Sequence, residues 1–122
     1  MFIIFHGKID HKKAIELLLQ SDCSIFVRER SRKNMAGFPT KFVEAITAGT
    51  GVIANNVSDI TKYSFDNVKI IEDVDLALLE NAIDEKIKQG KVKHVVSNAF
   101  DYRLFKNSMS RFVDELLRSI RV

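Results

Sequence analysis

This chain has few means of cross-linking, kinking or spanning a membrane. Among its 122 residues there is one cysteine, one proline and no tryptophan. The lone Cys23 excludes an internal disulfide and any zinc site built on several cysteines, and it reads best as a small buried hydrophobe. Five glycines are scattered along the chain and never form GxGxxG, or GxxxxGK followed by Ser or Thr, so the two familiar glycine-rich phosphate cradles are absent. His11 and His94 have no acidic or cysteine partners at ligand spacing, and no metal is expected. No apolar run approaches the ~20 residues of a membrane span. The opening FIIF is too short for a signal-peptide core and has no basic leader, which makes the cytoplasm the expected location.

What is present is the balance of a folded domain, with 46% hydrophobic and 29% charged residues. The length suits one domain with a modest core, and residues 1–122 are read as a single unit. The net charge of +3 suits a phosphate ligand, nucleic acid or an anionic membrane surface and selects none of them. The charge is local, however: Arg28, Arg30, Arg32 and Lys33 crowd into RERSRK.

Short apolar runs alternate with amphipathic ones. FIIF (2–5), CSIFVR (23–28), GVIAN (51–55) and NVKII (67–71) read as buried strands. Between and after them lie helical patterns: a stripe of Ala14, Ile15, Leu18 and Leu19 behind a capping Asp10, a helix over 41–48 stopped by Gly49, and one from Asp75 to about Gln89 stopped by Gly90. Ser58-Asp59 can cap a short turn in SDITKY, and KVKHVV fits strand or loop. The last helix, about 101–118, carries Phe105, Met109, Phe112, Val113, Leu116 and Leu117 as a core or partner-facing stripe. The expectation is one α/β domain with a parallel sheet of about four strands flanked by helices.

In such sheets ligands bind beyond the carboxyl ends of the strands. The loop after 23–28 leaves from that end, and the helix near Thr40 begins there with unpaired N–H groups and a positive dipole end. In AGFPTKFVE (36–44), Gly37 allows positive φ or a close ligand approach, Pro39 presets φ where no N–H is needed, and Thr40 offers a hydroxyl. Glu44 falls one turn beyond Thr40. The same letters also spell an ordinary helix start with a dipole-compensating acid. RERSRK can clamp a diphosphate through forked guanidinium contacts, or be a solvated loop; without interleaved aromatics it is a weak nucleic-acid signal. His6, ending a strand, is a candidate base or a structural residue.

SDCSIFVR followed by AGFPTKFVEAITAGTGVIANNVSDI is similar to the nucleotide-sugar-binding half of group 1 (family 4) retaining glycosyltransferases of the GT-B fold, over roughly residues 2 to 72. FDYRLFKNSMSRFVDELL resembles the same family's closing helix. The resemblance implies a Rossmann-like, partial GT-B C-terminal domain that binds a UDP- or GDP-sugar as substrate, with no other cofactor and no metal. Gly37, Phe38, Pro39, Thr40 and Lys41 would lie against the donor's sugar and diphosphate. Glu44, matching the second acid of a Glu-x7-Glu motif, would hold the ribose. Arg28, Arg30 and Arg32 are candidate phosphate ligands; the catalytic residue is unassigned. The implied role is hexosyl transfer in surface polysaccharide or glycoconjugate synthesis, in the cytoplasm or at the inner membrane surface.

Two letters depart from the pattern: Ala36 stands where the motif's first acid belongs, and Gly51 where the family usually has proline. The length also implies a missing acceptor-side domain and missing first strands on the donor side. The expected partners are therefore that domain or a second copy, as a dimer or strand swap, and the chain alone is expected to be inactive. Two other readings compete: a non-catalytic nucleotide-binding or assembly module whose Ala36 marks lost activity, and a basic α/β domain binding nucleic acid through RERSRK.

Overall fold

A computed structural model describes residues 2–63 and 65–120. The first helix, α1 (His11–Gln20), starts where Asp10 accepts the Lys13 amide at 2.8 Å. It leads into β1 (Cys23–Phe26). The polar stretch after β1, expected as loop, contains a short helix, α2 (Arg32–Ala36), because the Ser31 hydroxyl accepts the Asn34 amide. Next come α3 (Thr40–Ala48), β2 (Gly51–Asn55), a single 3-10 turn at Ile60–Lys62, and β3 (Val68–Ile71). Asp75 caps α4 (Leu76–Gln89) by accepting the Leu78 amide at 3.0 Å. A 3-10 turn at Tyr102–Leu104 precedes α5 (Lys106–Ile120). Asp101 anchors that turn and is hydrogen-bonded to the Arg103 guanidinium, which holds its carboxyl down to about 2.

The sheet is parallel in the order β1-β2-β3, with Phe26 beside Ala54 and Asn55 beside Ile71 at the carboxyl end. All five residues of β2 are buried, as befits a central parallel strand covered on both faces. Alternation divides its side chains. Val52 and Ala54 join Phe26 and the α3 residues Phe42, Ala45 and Ile46 in the larger core. Ile53 joins Ile71 and Ala82 of α4 in a smaller one on the other face.

Three expectations need correction. The sheet contains three strands among the described residues, not four: FIIF has no regular structure and pairs with none of them, with Phe2 96% and Phe5 91% exposed. Its composition favours a strand, yet no neighbouring backbone or side-chain layer meets it, and β-propensity acts through such neighbours. Second, the closing helix begins at Lys106 rather than near 101, and its whole length is exposed, so its apolar stripe is not part of the core. Third, Asp59 makes no side-chain cap for the turn at 60–62; it pairs instead with Lys62 at 3.2 Å on the surface.

The ambiguous KVKHVV is neither strand nor helix. It runs across the end of α3, tied by the Ser97 amide to Thr47 O at 3.1 Å and by the Val92 amide to Asp22 Oδ1 at 3.1 Å. Gly51, which stands where the family usually has proline, is tied into the structure through its own amide. Its amide donates to Asp22 O at 3.2 Å, and an added Cβ would stand 2.9 Å from that same oxygen. Proline would remove the donor and crowd the acceptor.

Candidate functional site

At the carboxyl end of the sheet the chain leaves β1 through Val27 and Arg28 and enters the basic loop. That exit is fixed by Asn55, the last residue of β2 and fully buried. Its Oδ1 accepts the Arg28 amide at 2.9 Å, while its Nδ2 donates to Arg28 O at 2.7 Å. One side chain thus satisfies both backbone groups of a residue that the sheet ladder no longer serves. A polar residue closing an otherwise apolar strand was the available sequence signal, and reading GVIAN simply as a strand passes over it.

Arg28 is half-buried, whereas Arg30 and Arg32 are exposed. Among the described residues none of these three guanidiniums is in an ion pair, and neither is Lys41. The loop is steadied internally by Asn34, whose Nδ2 donates to Glu29 O at 2.8 Å. Ala36 ends α2 on the surface.

The Gly37-Phe38-Pro39 turn follows. Gly37 has φ −98°, so the positive-φ reading does not hold, and an added Cβ would meet nothing nearer than 3.7 Å. The fold itself does not require glycine there. Pro39 is the residue capping α3, with extended ψ of 116°, rather than its first helical residue. No side chain accepts from the first-turn amides of α3, and Thr40 and Lys41 at its mouth are exposed. The Phe42 and Val43 amides donate to Pro39 O at 3.1 and 3.5 Å, so the amides of Thr40 and Lys41, with the positive end of the helix dipole, are those left for an anion.

Beneath the turn is an aromatic cluster that the sequence reading did not assemble. Phe38 stands edge-on to Phe42 with centroids 5.8 Å apart and to Tyr63 at 5.6 Å, and Phe100 lies against all three. Such edge-to-face pairs hold a turn at a defined height over the core. Phe65 and Phe100 lie far from 36–44 in sequence, so local spacing cannot reveal them.

Glu44 lies on the α1 side of α3. Its Oε1 is 3.9 Å from His11 Nδ1 in the first turn of α1, an ion pair only when the imidazole is protonated. It also borders a groove of about 310 Å³ lined by Ile15, Leu19, Val43 and Thr47. Glu44 is therefore half-buried at a helix junction and not a freely solvated acid. His6 is exposed in irregular chain and, among the described residues, forms no ion pair. At the opposite end of the sheet, a cavity of about 340 Å³ lies between β1 and α4 and is bordered by Cys23. Burial pushes the Cys23 thiol up, which keeps it protonated and apolar in behaviour. No cluster of three or more His, Cys, Asp or Glu at metal-holding distances occurs among the described residues.

In a parallel α/β sheet of this kind, the carboxyl end, where the basic loop and the uncapped helix mouth lie, is where ligands bind. The particular family follows from comparison: the family model "Glycosyl transferases group 1" matches residues 2–100. The chain belongs to the group 1 glycosyl transferases, and its role lies in glycosyl transfer. No curated protein and no solved structure matches it. The family match includes FIIF and every residue of the candidate site, extends past residue 72, and ends before α5.

Proposed function

We propose that this chain is the donor-binding part of a retaining, family 4 glycosyltransferase of the GT-B fold, and that it holds a UDP- or GDP-sugar at the carboxyl end of its sheet. The observation carrying this is that the topology brings uncommitted groups to one end of the sheet. The uncapped mouth of α3, the exposed Lys41, and Arg28, Arg30 and Arg32, which form no ion pair among the described residues, all belong to the connection from the carboxyl end of β1 into α3, and Glu44 stands a turn deeper in α3. A diphosphate needs several N–H donors and positive charge, and a ribose diol needs a carboxylate that accepts twice. During transfer the bond from the sugar to the diphosphate breaks as the anomeric carbon bonds to an acceptor hydroxyl, whose proton leaves with the diphosphate, and these groups stabilise the charge developing on that leaving group. Helix dipole and guanidiniums can meet that charge without a metal. The hexosyl acceptor, a surface polysaccharide or glycoconjugate, would be supplied by a second domain, so the chain alone binds donor without transferring sugar.

Isothermal titration of the chain with UDP and GDP tests the assignment. Glu44→Ala is expected to weaken nucleotide binding about 10- to 100-fold, the loss of a charge-assisted pair of hydrogen bonds. Gly37→Ala should leave the melting temperature unchanged or slightly raised, since its φ suits alanine and its surroundings are open, and yet should weaken nucleotide binding by crowding the ligand. The assignment fails if UDP and GDP bind no better than phosphate, or if neither substitution alters their affinity.

The same reading extends to assembly. The outer edge of β1 is unpaired in the three-stranded sheet, Ile25 on it is 48% exposed, and FIIF has strand composition without a partner. Open edges of this kind recruit another strand. The isolated chain is expected to be a dimer by light scattering at micromolar concentration; a monomer there overturns this part.

A further inference from the structure

We propose that Asn55 is a positioning residue for the donor diphosphate, acting through the backbone of Arg28. The inference rests on the donor-site reading above and adds to it a residue that never touches the ligand. The geometry is specific. Asn55 is fully buried, its two amide atoms engage the N–H and the C=O of one residue at 2.9 and 2.7 Å, and that residue lies 27 positions earlier in the chain. Beyond Phe26 the β1–β2 ladder has ended, its last paired residues being Phe26 and Ala54. Asn55 therefore extends the pairing sideways by one more residue, through a side chain instead of the backbone.

The neighbouring positions of β2 are filled by Gly51, Val52, Ile53 and Ala54, so Asn55 is the one polar side chain of a strand buried along its length. What only Asn or Gln chemistry provides is one donor and one acceptor, a fixed distance apart, facing a peptide. The consequence falls on the loop. Arg28 is the first of the three unpaired guanidiniums, and the chain after it must turn toward the mouth of α3. Holding Arg28 at both backbone groups fixes where its side chain starts and the direction in which residues 29–36 leave. A site that must present several cations to a diphosphate gains from having the root of its loop fixed in advance.

The test uses the whole chain with UDP and GDP as probes. Asn55→Ala and the β-branched Asn55→Thr, which suits a strand and retains one hydroxyl, are each titrated, together with Arg28→Ala and the double variant of Asn55→Ala with Arg28→Ala. The expected result is roughly tenfold weaker nucleotide binding for Asn55→Ala and for Arg28→Ala, a smaller loss for Asn55→Thr, and a double variant weaker than either single but by less than the two losses combined, because part of the Asn55 effect passes through the Arg28 side chain. Hydrogen exchange on the free protein gives a second readout. Asn55→Ala should speed exchange at the amides of 28–35 while those of Val52 to Ala54 keep their protection. Unaltered nucleotide affinity in Asn55→Ala, strictly additive losses in the double variant, or faster exchange throughout the sheet would each overturn the proposal. A wild-type chain that binds neither nucleotide would instead bring down the donor-site reading, and this inference with it.

Discussion

Replacing Gly49 by alanine is expected to destabilise the domain by about 3 kcal/mol, from the strain of a left-handed alanine together with a backbone collision. Gly49 closes α3 with φ 72° and ψ 19°, and its amide donates back to Ile46 O at 3.1 Å. Thr50 completes the turn through its amide to Ala45 O at 2.9 Å, leaving the chain aimed into β2. An alanine Cβ at 49 would meet the backbone N and O of Val95 and come within 2.9 Å of its carbonyl carbon. Because these are main-chain atoms, no rotamer change relieves the contact. The segment crossing α3 must move as a body, breaking the Ser97 amide bond to Thr47 O. Denaturant unfolding should show a lower midpoint at unchanged slope, and exchange should rise first at residues 92–97. Gly90→Ala is the informative control. It has nothing within 4 Å, but its φ of 78° with ψ of −159° lies in a region open essentially to glycine alone, so strain without any collision should cost about 1–3 kcal/mol there. Exchange at residues 92–97 should stay unchanged in Gly90→Ala; unchanged exchange there in Gly49→Ala as well would show that the approach of Val95 is not what constrains Gly49.

The sequence spelled out Gly49 as a helix stop, yet gave no hint of Val95. That contrast runs through the whole molecule. Elements written by local rules were legible: Asp10 and Asp75 cap α1 and α4, Gly49 and Gly90 end α3 and α4, and GVIAN forms a buried parallel strand. Segments whose state depends on a distant surface were not. FIIF has the composition of a strand but lacks a neighbour, and α5 has an apolar stripe but no layer to bury it against. Residues 29–35 read as polar loop because the cap that makes a helix of 32–36 is a single serine hydroxyl.

The candidate site divides the same way. Gly37 to Lys41 and Glu44 lie in one short window whose Pro, Gly and acid equally spell an ordinary helix start, and its reading as a donor turn came from the family resemblance. The backbone values of Gly37 and Pro39 then revised why they are there: Gly37 is not held by positive φ, and Pro39 sits one residue before the helix. Asn55 and the Phe38–Tyr63–Phe100 contacts join positions 25 or more residues apart, and no periodicity encodes such a pairing. Family membership covers the whole site without distinguishing which of its residues act: the role proposed for Glu44 comes from the motif it matches, and those proposed for Arg28 and Asn55 come from chemistry and geometry.

Phe42→Ala is expected to be the most damaging single truncation near the site, at about 3–5 kcal/mol. Phe42 is 0% exposed, and its ring centroid lies 5.8 Å from Phe38 and 6.1 Å from both Phe65 and Phe100. Truncation removes the largest fully buried side chain of the main core and leaves a void that two neighbouring rings cannot fill without leaving their own contacts. The loss should also reach the donor turn. Phe38, whose ring stands on Phe42 at 81°, is the middle residue of Gly37-Phe38-Pro39, so the turn loses its footing even in molecules that remain folded. At a temperature well below the shifted midpoint, nucleotide affinity should therefore fall several-fold in Phe42→Ala, whereas Phe42→Leu should recover most of the stability and part of the affinity. Phe105→Ala, just before α5 and half-exposed, separates this from a general sensitivity to losing aromatic surface: it should alter stability by under about 0.5 kcal/mol and leave nucleotide binding unchanged. If Phe105→Ala proved as costly as Phe42→Ala, the stripe it begins would have to be docked against the core in solution. The three-stranded domain would then be held together by a contact beyond the two cores described here.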